Sequence, residues 1–205
     1  MKLLYATKNP AKIEAMRRRV SALGITIYGF DELDVELPKI PETGNSPLEN
    51  AVQKAKAYFQ ILKVPLFSCD SGLYFDNVPD EIQPGVNVRR VDGKRLSDAQ
   101  MQAYYMGLAK EYGDLTARYK NAICLVLDEN HIYSAMEKNM ESEPFLMTSK
   151  PHPQSNPGFP LDSISIDIKT GKYYYDLAGS RLDEVAVEEG FLTFFERYIG
   201  KMGNS

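Results

Sequence analysis

The chain has little of what several protein classes require. Of its 205 residues only two are cysteine, Cys69 and Cys124, and only two are histidine. That excludes a disulfide framework and a zinc-type ligand cluster, and it fits a reducing compartment. No apolar run approaches the roughly 18 residues that a membrane helix needs. The opening KLLYATKNP has no long apolar core and no small-residue cleavage site, so no secretory leader is expected. Excess positive charge is also missing. The formal net charge is -4, whereas a duplex-binding protein carries a basic stripe. The local exception, Arg17-Arg18-Arg19, reads as the solvated face of a helix. The expectation is a cytoplasmic protein with no nucleic-acid and no membrane partner.

What is present is an ordinary globular composition, 43% hydrophobic, long enough for one large domain or two lobes sharing a core. Residues 2–7 form a short apolar strand. Asn9 then caps a helix with Pro10 at its first position, Ile13, Met16 and Val20 at helical spacing, and Gly24 after its end. Residues 25–30 are a second strand, and 31–45 an acidic loop. Ser46, Pro47 and Glu49 open the next helix as a capping box, with Ala51, Ala55, Tyr58 and Phe59 on its buried stripe. Residues 64–70 are a strand running into a turn at Ser71-Gly72. Ser97 and Gln100 cap a third helix that reaches Tyr112. Residues 122–128 are a fully buried strand. Residues 141–160 hold five prolines and are expected to be a long loop. SISIDI and KYYYDL read as two strands about a turn at Lys169–Gly171. The last helix is expected from about Asp183 to Tyr198. Strands interleaved with helices throughout indicate α/β with a mixed sheet.

Three stretches carry chemistry. In ATKNPAK a strand passes through Thr7, Lys8 and Asn9 into a helix. Free N–H groups and the helix dipole attract phosphate oxygens there, and Lys12 adds a full charge. In ETGNSPLENAVQKA, Asn50 and Lys54 lie four apart on one helix face, and Glu42 precedes the helix by a glycine-containing turn. Glu49 has a sufficient structural task in the cap. In CDSGL, Asp70 is expected at the carboxyl end of a strand, where open α/β sheets place ligands, with Gly72 allowing close backbone approach. Phosphoryl transfer needs a hard divalent cation, which takes one or two carboxylates, and positive charge where the transition state spreads negative charge. Glu42 and Asp70 offer the ligands; Lys12 and Lys54 offer the charge. Neither His131 nor His152 is expected to be central.

These residues resemble the inosine-triphosphate pyrophosphatase family, which hydrolyses non-canonical purine nucleoside triphosphates. Thr7, Asn9 and Lys12 match its T-x-N-x-x-K. Glu42 to Ala55 matches its E-T-G-x-[ST]-x-x-E-N-A-x-x-K-A throughout. Asp70 to Leu73 matches D-D-S-G-L after the first aspartate, whose place Cys69 takes. PGVNVRR (84–90) is similar to P-G-x-x-[SA]-x-R and gives Arg90. GFPLDSI (158–164) resembles G-F-G-Y-D-P and keeps Phe159 and Asp162, and GKYYYDL resembles G-K-T-x-A-E-L. The resemblance implies a divergent member: a single elongated domain over residues 1–205, with a mixed central sheet, flanking helices and a cleft between two lobes. It implies Mg²⁺, with Mn²⁺ as the alternative, and a homodimer. The substrate would be a nucleoside triphosphate, split into monophosphate and pyrophosphate. Asp70 is similar to the proton acceptor and a metal ligand, Glu42 to the second ligand, and Lys54 to the catalytic lysine. Thr7, Lys8, Asn9 and Lys12 would bind phosphate; Ser71, Arg90, Phe159 and Asp162 would lie around the rest of the substrate.

The family ends with a lysine and then Ser-His-Arg. Here those places hold Leu182 and Ala186-Val187-Glu188, with Arg181 beside the first. A changed base preference is therefore expected. The rival expectation is a nucleotide-binding or regulatory protein on the same scaffold with little catalysis.

Overall fold

A computed structural model describes residues 1–76, 78–178 and 189–200, the side chains of Ala11 and Glu189 excepted. Its residues fall into two compact units. The first comprises Met1–Ser71, Asn121–Met140 and the C-terminal segment; the second comprises Gly72–Lys120 and the stretch from Glu141. Two strands, β3 (Leu66–Phe75) and β6 (Leu115–Val126), contribute residues to both.

In the first unit β1 (Lys2–Tyr5) runs parallel to β2 (Thr26–Tyr28) and to β3, and β6 is antiparallel to β7 (Ile132–Ala135). Side chains of successive strand residues point to opposite faces, and here both faces are buried. Leu3, Tyr5, Phe67, Ile123 and Leu125 pack with Ile13, Met16 and Val20 of α1 (Pro10–Arg19) and with Phe191, Phe194 and Phe195 of α4 (Glu189–Tyr198). Leu4, Leu66, Ala122, Cys124 and Val126 pack with Ala51, Ala55, Tyr58 and Phe59 of α2 (Pro47–Leu62). Covering both faces is why the strand sequences LLYA, LF and AICLV are apolar without alternation. Phe67 stacks on Tyr5 at 4.5 Å and meets Phe195 edge-on at 5.1 Å.

The second unit differs in its patterning. β6 is antiparallel to β8 (Phe145–Met147), and β8 to β9 (Ser165–Asp167). Leu73, Phe75, Leu115, Ala117, Phe145 and Met147 pack with Met101, Tyr105, Leu108 and Ala109 of α3 (Asp98–Tyr112). The alternate residues are polar and incompletely buried: Lys120 lies 4.6 Å over the Tyr74 ring, and Arg118 bonds Asp76 at 2.8 Å. The helix starts expected at Ser46 and Ser97 are found. Ser46 accepts the Glu49 N–H, and Ser97 and Gln100 form the full reciprocal cap of α3.

Several expectations are corrected. β3 does not end at Asp70; it continues through Ser71-Gly72 to Phe75. Gly72 serves a close approach to backbone, not a turn. Leu73 exchanges both backbone hydrogen bonds with Gly85 (2.9 and 3.0 Å), and a Cβ on Gly72 would lie 2.9 Å from the Gly85 carbonyl oxygen. The 141–160 stretch contains β8. KYYYDL is not a strand. Tyr173 makes one bridge to Ile166, and Tyr174–Asp176 then turn as a 3-10 helix that brings the Tyr174 ring 5.5 Å from Phe145. In the last helix the residues before 189 lie outside those described, as do Arg181, Leu182 and Ala186 to Glu188.

The Gly72 contact is testable. Gly72→Ala should cost about 1–3 kcal/mol, the usual penalty of overpacking against atoms that cannot yield. An unchanged urea midpoint would show that the Gly85 segment moves freely.

Candidate active site

The site is built on the N-terminal half of α2 and the middle of β3. Pro47 takes the first helical position, and the Glu49 carboxylate accepts the Asn45 N–H at 2.8 Å, which braces the preceding loop. Asn50 then joins two segments. It is 3% exposed; its Oδ1 accepts the Gly44 N–H at 2.8 Å and its Nδ2 donates to Asp70 Oδ2 at 3.0 Å. A Cβ on Gly44 would meet Asn50 Oδ1 at 2.8 Å, so only glycine lets the loop approach this amide. One turn along, Lys54 forms an ion pair with Glu42, the lysine side chain 16% and the glutamate 44% exposed. Helix spacing thus places Asn50 and Lys54 on one face, and that face gathers Glu42 and Asp70.

The Asp70 carboxyl is held above the usual carboxylate range, first by burial and then by the nearby Glu42. The Asn50 hydrogen bond, Lys54 and Lys12 act in the opposite sense. All four charged groups therefore feel one another at Asp70. Lys12 itself is exposed in the first turn of α1. Before it, Thr7 Oγ1 accepts the Asn9 N–H at 3.2 Å and Asn9 Oδ1 accepts the Lys12 N–H at 3.4 Å, while Lys8 is exposed. Burial pushes the neighbouring Cys69 thiol up to about 12, with a Tyr5 hydrogen bond opposing. Cys69 remains a neutral thiol and is no substitute for a carboxylate ligand.

Ser71 is turned to the fold. Its hydroxyl donates to Asn121 Oδ1 at 2.6 Å, and Asn121 Nδ2 donates to the Met140 carbonyl at 2.7 Å. Arg90, Phe159 and Asp162 belong to the second unit. Arg90 is exposed on β4 (Arg90–Val91), which pairs with β5 (Lys94–Arg95), whereas Arg89 beside it forms an ion pair with Asp98. Phe159 is 51% exposed, and Asp162 is three residues on, its N–H donated to the Phe159 carbonyl at 3.3 Å. Sequence reasoning had no task for Asn50 beyond its helix face, nor for Asn121 and Arg89. The signal for Asn50 was an amide four residues before a lysine on an otherwise apolar helix face.

Residues 3–164 match the model of the Ham1 family. The chain belongs to that family. Among its relatives, a dITP/XTP pyrophosphatase of Treponema denticola is 29% identical over 165 residues, covering 77% of this chain and 79% of that protein. One from Borrelia recurrentis is 32% identical over 133 residues, covering 60% of each. The fold is that of a solved HAM1 protein from Coxiella burnetii, with a TM-score of 0.74 at 21% identity over 98% of this chain and 99% of the other. The mixed α/β architecture of this Ham1-family chain is thereby shared.

Among the described residues no three histidine, cysteine or acidic side chains cluster as a metal site. Glu42 and Asp70 nevertheless fit Mg²⁺, a hard cation that keeps most of its waters and takes one or two carboxylates. The fit rests on a carboxylate whose charge is desolvated beside a second one, which a cation would relieve. The described helices include none long and apolar enough to cross a membrane.

Asp162 supplies a pH test. Desolvation raises its carboxyl from 3.8 to about 6. The folded state thus favours the neutral acid. This stabilisation is complete below about pH 4 and is lost as pH rises through about 6. Asp162→Asn, neutral at every pH, should match the parent near pH 4. It should exceed it at pH 8, by at most about 3 kcal/mol. Urea unfolding at both pH values measures this; an equal difference at each would contradict it.

Proposed function

We propose that this chain hydrolyses non-canonical purine nucleoside triphosphates to the monophosphate and pyrophosphate with Mg²⁺, working as one domain of 205 residues in a cytoplasmic homodimer. The supporting observation is the joining of Glu42, Lys54 and Asp70 through Asn50. A binding module needs no desolvated acid set among amines, whereas cleavage of the α–β phosphoanhydride does. The names of the relatives, dITP/XTP pyrophosphatases, agree with this chemistry.

In this reading Glu42 and Asp70 hold the metal, with Mn²⁺ as an alternative. When bound, it neutralises and orients the phosphate oxygens. Lys54 and Lys12 place positive charge where charge spreads in the transition state. The positive end of the α1 dipole, with Thr7, Lys8 and Asn9 beside it, would receive phosphate oxygens, the donors turning from their partners within the turn. Water attacks the α-phosphorus, the bond to the bridging oxygen breaks, and pyrophosphate leaves. Asp70 takes the water's proton, a role suited to a carboxylate that the Asn50 amide holds in place. Phe159 offers an exposed ring for the base, and Asp162 and Arg90 further contacts; the Ser71 hydroxyl would have to leave Asn121 to join them. The base preference differs from the family's because Leu182, Val187 and Glu188 stand where it has cations.

The competing reading, nucleotide binding with little turnover, is favoured by Cys69, which leaves the site one carboxylate short of the family's pattern. Pyrophosphate release from ITP, XTP, dUTP and the canonical triphosphates separates the two. The parent should release it with Mg²⁺, lose activity on chelation and regain it with Mg²⁺ or Mn²⁺. Asp70→Asn should lose about two orders of magnitude in kcat. Binding without release from any substrate would select the competing reading.

A further inference from the structure

Phe159 is large, apolar and half exposed, yet its loop is not left to itself. The preceding residue, Gly158, adopts φ +87°, and both of its backbone polar groups are engaged by one ion pair. The Asp98 carboxylate accepts an Arg89 guanidinium N–H with one oxygen and the Gly158 N–H with the other, the latter at 2.6 Å. The second Arg89 nitrogen donates to the Gly158 carbonyl at 3.3 Å. On the far side of Phe159 the loop is tied again. Gln102 Nε2 donates to Ser163 Oγ at 2.6 Å, and Ser163 Oγ donates to the Pro160 carbonyl at 2.9 Å. Asp98 and Gln102 are four apart and share a face of α3. One helix face therefore grips the loop at residue 158 and at residue 163, and Phe159 to Asp162 lie between the grips. Asp98 sits in the first turn of α3, where the helix dipole favours its charge. The short β4–β5 hairpin fixes the other partner, since Leu96 N–H bonds the Arg89 carbonyl at 2.9 Å.

The arrangement does more than stabilise a loop. The Phe159 backbone bonds only within its own loop, its N–H to the Asn156 carbonyl and its carbonyl to the Asp162 N–H, and a glycine at positive φ just before it gives that loop a joint about which to swing, so the clamp is what ties the ring's direction to α3. Pre-ordering an aromatic before binding removes the cost of ordering it on binding. We propose that Arg89, Asp98 and Gln102 are positioning residues that set the Phe159 ring for stacking on the substrate base, and so govern nucleotide affinity and base selection. The proposal rests on the assignment of Phe159 to the base. It also explains why Arg89, rather than Arg90, faces inward: the guanidinium works on the loop backbone and not on substrate.

The test is a double-mutant cycle at Asp98 and Phe159, read on the best substrate of the panel. Asp98→Ala should raise KM about tenfold, the order expected for losing one base–aromatic stack, with kcat within threefold of the parent. Phe159→Ala should do the same. The double variant should be no worse than Phe159→Ala alone, because Asp98 acts through the ring. Asp98→Asn keeps one acceptor for the Gly158 N–H and should fall between parent and alanine. Multiplying KM effects, or a fall in kcat with unchanged KM, would overturn the proposal. If Asp98→Ala does not fold, Arg89→Gln replaces it in the same cycle. If the parent binds ITP without turnover, the pyrophosphatase assignment fails alone. The cycle is then read on dissociation constants by calorimetry, with the same outcomes deciding. A parent that neither binds nor turns over any nucleotide refutes both.

Discussion

The desolvated carboxylate of Asp70 is the constraint on which the first unit is organised. A partly buried acid away from charge partners would take up a proton or destabilise the fold. Here the Asn50 amide donates to it, and Lys54 and Lys12 offset the repulsion from Glu42. Each of these groups is held by something rigid. Asp70 follows Phe67 on a strand packed on both faces, and Asn50 and Lys54 ride a helix whose adjoining stripe of Ala51, Ala55 and Phe59 is locked in the core. Sites on such elements hold their geometry better than sites on loops. The Glu42 loop is the exception, and Asn50 reaches it through Gly44.

Cys69 fits the same balance. A second carboxylate there would have to be desolvated beside Asp70, with Lys12, Lys54 and Arg19 to offset it. A thiol pushed up to about 12 adds no charge. At this position the chain thus keeps Glu42 and Asp70 as its acids and adds no third charge.

Much of this was legible in the chain. Capping residues gave the starts of α2 and α3, because Ser46 and Ser97 satisfy local N–H groups whatever the tertiary context. The four-residue spacing of Asn50 and Lys54 placed them on one helix face, with Glu42 in the loop just before the helix. What was not legible depended on distant partners. Ser71-Gly72 has the composition of a turn, and partners distant in sequence, β6 beside it in the sheet and the Gly85 backbone bonded to Leu73, make it a strand. KYYYDL has strand propensity, but Tyr174 gains more by joining Phe145 in the core than by extending the ladder. Arg89 and Arg90 are indistinguishable by composition. Motif spacing favoured Arg90, and packing chose Arg89 as the partner of Asp98.

The Lys54–Glu42 ion pair marks which parts of the site must rearrange. In the free protein the two side chains neutralise each other, yet the proposed chemistry asks the lysine to face phosphate and the glutamate to face a cation. That exchange is cheap. Glu42 is 44% exposed and can turn to water, whereas Lys54 is 16% exposed and takes its new partner where it stands. The Asn50–Asp70 contact is different, because Asn50 is buried and breaking it would leave polar atoms without partners at about 1–3 kcal/mol each. The site therefore divides into a fixed part, Asp70 with Asn50, and a part that exchanges partners, Lys54 with Glu42. A polyanion and a divalent cation arriving together would replace both members of the open pair at once, so neither charge need be left uncompensated.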